Sequence, residues 1–439
     1  MPSLFNDFSP HSAADWKNQL QRDLKGESIE SLTWHNENGF DIQPFYTGED
    51  LAKDYLPAFT HSDWDVCVKG PDTGDKDLNE WILNRLNSGA TSILLPSSVN
   101  DFSKALHEVL LPYIHTSFTL HASNAGALSD FLSAQSPESR SHCTVYSDGF
   151  AEKGCSDTWL DQMKTLSTFR EVNTCTADIT YWHNQNPLAY YEIAIGMAAL
   201  VDQLENLAAS GLPLPGTVVL KTGITADYFV QMAKGRAIHR LWKLLASEYT
   251  PAPALRLVFE TSLSNKSISD SYNNLLRSTI EAMAAVSGGC HELIVHPYDV
   301  FHSSNPLLSQ RLAVNQQLIL KEEAYLNQMA DVACGSYYIE TITDALASKA
   351  LEAFKDIEAG GGYTPCVRNS SLVKTVSTQA DIKSAALRSQ QQFFIGINKF
   401  RNEKENIQIN KDALDYIKSL HLHNPLLDFE LEHFYKAHA

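Results

Sequence analysis

The chain has 439 residues, a formal net charge of −18 and 44% hydrophobic residues. Its acidic residues are scattered, so the surface is expected to repel nucleic acids and anionic membranes. With no apolar run long enough to span a bilayer, and a start (MPSLFNDFSPHSAADW) that lacks the basic and apolar parts of a signal peptide, the sequence predicts a globular, cytoplasmic protein.

The first elements form an arm ahead of the main domain. An amphipathic helix is predicted from Ala13 to Leu24, where Trp16 and Leu20 begin an apolar stripe at four-residue intervals. An extended piece follows from Gly39 to Leu51. Such a stripe shows only that something covers it, so packing on the chain's own main domain and packing on a partner both remain open.

From Trp64 onwards, short apolar or β-branched runs alternate with longer amphipathic stretches, which is typical of βα units around a parallel sheet. The candidate strands are Asp65–Val68, Ser92–Leu95, Ser117–Leu120, Cys143–Tyr146, Glu171–Ala177, Thr217–Lys221, Leu255–Glu260 and Glu292–His296. The candidate helices are Leu78–Leu86, Ser103–Val109, Gly126–Ala134, Leu188–Leu207, Asp227–Ser247, Asn274–Val286 and Leu307–Gln328. Eight strands with helices between them predict a closed (β/α)8 TIM barrel.

The barrel is followed by a mainly helical extension. A short strand or turn is predicted before a helix from Thr341 to Ala359, which three glycines terminate, and a further helical piece lies near Ile382 to Gln392. The predicted division is therefore an N-terminal arm (residues 1–60), an α/β barrel (61–330) and a C-terminal extension (331–439).

Cysteine and histidine spacing predicts no metal site. The seven cysteines include no CxxC pair, and reduced, mostly buried thiols are expected. The 16 histidines include no HExxH or HxxxH pattern, and His421 and His423 stand two apart in a polar tail.

Several segments, in the same order along the chain, resemble the methylmalonyl-CoA mutase family, and most closely its small, or beta, subunits. They are LTWHNENGFDIQPFYTGEDL, YFVQMAKGRAIHRLW, TSLSNKSISDSYNN, NNLLRSTIEAMAAVSGGCHELIVHPYD, RLAVNQQLILKEE, CGSYYIETIT, EAGGGY and IGINKF. The resemblance implies an acyl-CoA mutase barrel and the adenosylcobalamin-dependent interconversion of methylmalonyl-CoA and succinyl-CoA in propionate metabolism.

Several of the family's catalytic motifs are altered here. Catalytic chains carry Arg-Pro-Trp-Thr-Ile-Arg-Gln before the first strand, but the stretch between Tyr46 and Val68 contains neither arginine. Alignment on the family's Tyr-His-Met-x-Glu-Ala-Gly segment places Tyr181 at the histidine, with His183 two residues later. Glu260 replaces a glutamine, and we expect its carboxylate to repel an acidic substrate. The family's His-Thr-Asn becomes Ile-Val-His at residues 294–296.

Other residues of the matching segments are predicted to be scaffold. Arg236 and Arg240, one helical turn apart, are expected to pair or cap at the barrel rim, and Asp270 is expected to accept backbone N–H bonds at a helix entry. A coenzyme A ester would need a local cluster of arginine or lysine, and none stands out in the sequence.

The resemblance therefore implies a non-catalytic barrel. The Asp-x-His-x-x-Gly loop of the family's cobalamin-binding domain is absent from these 439 residues. We expect no catalytic, cofactor-binding or metal-binding residues on this chain, with adenosylcobalamin and the acyl-CoA held by a large (alpha) subunit in a heterodimer. Two alternatives remain: a catalytic mutase barrel that uses a separate cobalamin-binding chain and recruits His183 and Arg236, or a non-enzymatic acyl-CoA-binding barrel.

Overall fold

The computed structural model describes residues 9, 11–50, 55–72, 77–302, 306–401, 417 and 424–437. Its arm begins with helix α1 (Ala13–Asp23), which starts with a capping box: the Ser12 side chain accepts from the Asp15 N–H, and the Asp15 carboxylate accepts from the Ser12 N–H. The arm then forms a hairpin of two short antiparallel strands, β1 (Trp34–His35) and β2 (Asp41–Ile42). No residue of α1 is buried, whereas Asn36, Asn38 and Ile42 of the hairpin are.

Eight parallel strands form the centre of the fold. They are β3 (Asp65–Lys69), β4 (Ser92–Leu95), β5 (His115–Leu120), β6 (Cys143–Ser147), β7 (Thr176–Asp178), β8 (Thr217–Ile224), β9 (Ala254–Thr261) and β10 (Glu292–Ile294). The order is β6-β5-β4-β3-β10-β9-β8-β7, and hydrogen bonds between Asn173 and the backbone of Cys143 and Val145 join the two ends. This ring with its outer helices confirms the predicted (β/α)8 barrel.

Helices cover the outside of the barrel. They are α2 (Leu78–Leu86), α3 (Phe102–Ala105), α4 (Ala125–Ser133), α5 (Pro137–Arg140), α6 (Phe150–Lys153), α7 (Asp157–Leu166), α8 (Thr180–Asn184), α9 (Ala189–Ala209), α10 (Tyr228–Ala246), α11 (Ser271–Ser287) and α12 (Pro306–Leu318). No helix in the described part of the chain is both long and apolar enough to cross a bilayer.

The C-terminal extension adds a second helical layer. Helix α13 (Tyr337–Ala359) packs across α9 and α10, which explains why those two helices are buried on several faces. Three more helices complete the described chain: α14 (Tyr363–Arg368), α15 (Ser371–Arg388) and α16 (Pro425–Ala437).

The structure departs from the sequence prediction mainly outside the strands. All eight predicted strands are present, but β7 starts at Thr176 rather than Glu171. Helix α7 was not predicted, and the helix placed near Ile382–Gln392 begins at Ser371. The last barrel helix ends at Leu318 and continues as a π-helical turn, Ile319–Glu323, instead of running to Gln328. His421 and His423 lie outside the described residues.

Candidate functional site

Side chains alternate along a barrel strand between the interior and the outer helices, so every second residue contributes to the barrel axis. At the amino-terminal end, Arg256 donates to Asp65 (2.6 Å) and Glu292 (2.8 Å) across the interior. His115 contacts Thr144 at 3.0 Å in the same layer. Burial lowers the pKa of His115 to about 3, so this imidazole is neutral. The guanidinium therefore pairs with both carboxylates through Nη2, while its buried Nε has no partner among the described residues, and these side chains fill this end of the axis.

The middle of the axis is apolar. Six inward side chains from six strands form a cluster separate from the main core: Cys67, Leu94, Tyr146, Val219, Val258 and Ile294. All of them are buried, and Tyr146 and Ile294 are among the bulkier side chains found in such barrel layers. The centre of the barrel is thus a packed core and not an open bore.

A charged network closes the carboxyl-terminal end. Lys221 lies 2.7 Å from Glu260 and 3.0 Å from Asp178, while Lys69 and His296 reach the other Glu260 oxygen at 3.3 and 2.8 Å. Burial alone would raise the pKa of Glu260, but the two lysines and His296 hold this pKa well below its usual range. Likewise, burial favours neutral Lys221, yet Asp178 and Glu260 raise its pKa. Both groups are therefore ionised near neutral pH.

This network changes the interpretation of Glu260. The carboxylate is not an isolated negative charge that faces a substrate, because Lys69 and Lys221 balance Glu260 and Asp178 in formal charge. The lysines lie far apart in the sequence, on β3 and β8, and only the closure of the barrel brings them together. No local motif marked either lysine, although each follows the strand alternation at an inward position.

His183 lies in a second buried network beneath α9. Its Nδ1 is 2.9 Å from Glu192, which also accepts from Lys234 (3.1 Å) and from the hydroxyl of Thr222. Burial opposes ionisation of Glu192, but His183 and Lys234 lower its pKa. Burial also lowers the pKa of His183. Because ionised Glu192 can only accept, Nδ1 carries the imidazole proton, and the buried Nε2 has no hydrogen-bond partner among the described residues.

The ring of His183 is pressed against β8. A Cβ added at Gly223 would lie 1.9 Å from the His183 ring, so only glycine leaves room for it. His183 is 3% exposed, and Tyr181, which takes the catalytic histidine's place in the motif, is half-buried. His183 is therefore closely packed between Glu192 and Gly223, and solvent hardly reaches its ring.

Arg236 and Arg240 form ion pairs, as predicted. Their partners lie on α13 and in the segment before it. Arg236 is fully buried and donates to Asp331 (2.7 Å), Glu340 (2.8 Å) and Thr343 (3.0 Å). Arg240 donates to the same glutamate at 2.5 Å. These bonds tie the C-terminal extension to α10 and occupy the guanidinium of Arg236.

Asp270 does not cap helix α11 through its side chain. Its carboxylate accepts from the Asn273 amide at 2.5 Å, and no backbone N–H of the helix donates to it. The loop before this helix is fixed instead by Asn274, which bonds the backbone of Ser267 and Tyr298. The predicted cap is therefore wrong, because the Asp270 carboxylate accepts from the Asn273 side chain and not from a backbone N–H of the helix.

Three histidines that the sequence did not single out lie together below the barrel. His61 and His239 both direct Nε2 at the carbonyl oxygen of Gly289 (3.0 and 2.7 Å), and His291 accepts the backbone N–H of Leu257 at 3.0 Å through Nδ1. Burial lowers the pKa of His239 to about 4 and that of His291 to about 2. Neutral His291 thus keeps its proton on Nε2, so that nitrogen is a donor and not a metal ligand.

Comparisons with known proteins agree with this fold. The family model described as methylmalonyl-CoA mutase matches residues 165–423. The chain is 27% identical to the methylmalonyl-CoA mutase small subunit of Porphyromonas gingivalis, over 92% of this chain and 72% of that protein. It is 26% identical to the small subunit of Streptomyces virginiae (86% and 67%) and 24% identical to the methylmalonyl-CoA mutase of Rhizobium meliloti (91% and 66%). Since the family model covers more than half of its residues, this chain belongs to the methylmalonyl-CoA mutase family.

Proposed function

We propose that this chain is the small, non-catalytic subunit of an adenosylcobalamin-dependent methylmalonyl-CoA mutase. A large subunit would hold both the cofactor and the acyl-CoA, and the assembled enzyme would interconvert methylmalonyl-CoA and succinyl-CoA. The two relatives that are themselves small subunits support this role.

The packed barrel axis carries the proposal. A barrel that sheathes a thioester and shields a radical from water needs an open path to its reacting centre. Here the path is filled at one end by Arg256, in the middle by the cluster around Tyr146, and at the other end by Lys221 and Glu260. Opening it would separate buried ion pairs, which costs several kcal/mol for each ion left without its partner (about 3–5).

The contacts of His183 and Arg236 weigh against a catalytic barrel that recruits them. His183 is fixed by Glu192, and its ring lies against Gly223. Arg236 is occupied by Asp331 and Glu340 between α10 and the extension. Recruiting Arg236 to a substrate would take the guanidinium from buried Asp331, and recruiting His183 would break its bond with Glu192.

The donor groups of this chain do not fit cobalamin. The lower-ligand loop Asp-x-His-x-x-Gly is absent from the 439 residues. His296, which lies at the carboxyl-terminal end of the barrel, is bound to Glu260 at 2.8 Å and is 9% exposed. We therefore place the cofactor on the large subunit and assign this chain no step of the radical reaction.

The arm supports assembly with a partner. Trp16 and Leu20 of α1 are only half-buried within this chain, and Trp34 and Phe45 nearby are exposed by about half. Residues that remain this accessible on a single chain become buried when a second subunit covers them. A permanent heterodimer of this kind typically buries more than about 2,000 Å².

Ligand titration of the isolated chain tests the proposal. Calorimetric titration with methylmalonyl-CoA, and separately with adenosylcobalamin, is expected to give no saturable binding at micromolar concentration. Saturable binding of methylmalonyl-CoA without turnover would favour the acyl-CoA-binding barrel. Turnover on addition of a separate cobalamin-binding chain would favour the catalytic barrel, and either result would overturn the proposal.

A further inference from the structure

A cavity of about 320 Å³ lies at the carboxyl-terminal ends of the first and last barrel strands. Lys69 at the end of β3 and His296 after β10 form its floor, while Trp81 and Arg85 on α2 and Gln310 and Gln317 on α12 line it from the helix layer. Cavities of this size and position are where barrels of this architecture bind small ligands.

Arg85 is unusual within this cavity. The residue is 6% exposed, yet its guanidinium makes no hydrogen bond or ion pair with any residue that the structure describes, and its Nε is buried without a partner. The ring of Trp81 lies 5.7 Å from the guanidinium carbon. By contrast, the fully buried Arg236 is bound by two carboxylates. A buried arginine without an anion is costly, so Arg85 points to an anion from outside the chain.

Two further side chains of the cavity have unused hydrogen-bonding capacity. Gln317 is 1% exposed, and its amide oxygen has no partner among the described residues. Gln310 accepts from Trp81 Nε1 at 3.2 Å through its oxygen, which leaves its amide nitrogen as a donor. Lys69, whose charge is balanced by Glu260, and Asp72 also line the cavity. The lining therefore combines a cation, amide groups and the flat face of an indole ring.

We propose that this cavity binds a small organic oxyanion, a carboxylate or a phosphate ester, with Arg85 as the principal contact. A guanidinium presents paired N–H groups that match two oxygens of such an anion. Gln310 donates to a remaining oxygen, Gln317 accepts from a hydroxyl of the ligand, and Trp81 packs against its carbon skeleton. The site lies between the barrel and the helices, beside the charged network that closes the carboxyl-terminal end of the axis, and it does not depend on the mutase role.

Titration of the whole chain with inorganic phosphate and, separately, with malonate tests the site and distinguishes the two sources of the oxyanion. Wild-type protein is expected to bind at least one of them at millimolar concentration, with a matching rise in its thermal unfolding midpoint. Arg85→Met should weaken that binding by about tenfold or more, since an ionic hydrogen bond is lost. The same variant without ligand should unfold at an equal or higher temperature, because an unpaired buried charge has been removed.

A matched control is Arg22→Met, which removes the same charge from the exposed end of α1 and should bind like wild type. If Arg85→Met does not fold, Arg85→Lys carries the test, since it keeps the charge and loses the paired geometry. No binding of either anion by wild type, or unchanged binding by the Arg85 variant that folds, overturns the proposal.

Discussion

Glu260 is the residue on which the filled end of the barrel depends. Replacing Glu260 with glutamine leaves Lys221 with Asp178 alone and removes the charge that Lys69 contacts, so we expect a loss of about 3 kcal/mol in the free energy of unfolding. Urea unfolding of the variant and of wild type at neutral pH measures this loss. Glu432→Gln, which breaks the exposed pair with Arg388, should cost less than about 1 kcal/mol. Equal losses in the two variants would show that the barrel network is not closely coupled.

His239 gives the fold a defined pH dependence. Burial lowers its pKa to about 4 from 6.5, so the folded protein keeps the imidazole neutral while the unfolded chain binds a proton below pH 6.5. The contribution of neutral His239 to the free energy of unfolding is therefore fully present above pH 6.5 and is lost as the pH falls towards 4. His239→Gln keeps an N–H donor for the Gly289 carbonyl and does not titrate. Between pH 7 and pH 4 the free energy of unfolding of the variant should fall by about 2–3 kcal/mol less than that of wild type. Parallel curves of unfolding free energy against pH for the two proteins would contradict this.

Residue-scale contacts were the hardest to predict from the sequence. Lys234 meets Glu192 from 42 positions away, and Arg236 meets Asp331 from 95. A pattern of neighbouring residues carries no signal for such pairs, which depend on how α9, α10 and α13 cross. The pairing of Arg236 could be predicted because arginines in a helical face need partners, but the partners could not be named.

At the scale of elements, the strands were easier to predict than the helices that cover them. Strands buried on both faces are short, apolar and regularly spaced, and every candidate strand proved to be one. Helix α7 has a recognisable signal in the sequence, because Ser156 caps it and Trp159, Met163 and Leu166 form its buried face. Helix α15 has the same kind of face, with Leu372, Val376 and Ala380 buried.

Helix α1 is the element with the clearest prediction for assembly. Changing both Trp16 and Leu20 to serine removes its apolar stripe, yet no residue of α1 is buried, so the unfolding midpoint of this chain should hardly move. Association with the large subunit should weaken by about tenfold or more, as expected when two aromatic or aliphatic contacts leave an interface. Asn18→Ser with Gln21→Ser, on exposed positions of the same helix, is the control. Unchanged association of the stripe variant, measured by analytical ultracentrifugation, would remove the arm from the interface.

In the whole molecule, a complete (β/α)8 barrel surrounds an axis that side chains fill. The predicted barrel agrees with the family, and the altered motifs support the proposal that the large subunit carries out the chemistry. What the sequence could not show is how completely the axis is packed, because its three layers draw on residues from eight separate strands.

Reconstitution of the mutase is the most direct measurement. Isomerisation of methylmalonyl-CoA, with adenosylcobalamin present, would be followed for this chain alone, for the large subunit of the same genome alone, and for the two together. We predict no activity from this chain alone, co-purification of the pair, and activity or stability of the large subunit that depends on this chain, with His183→Gln making no difference to turnover. Activity from this chain alone, or loss of turnover in a folded His183→Gln complex, would contradict its role as a non-catalytic subunit.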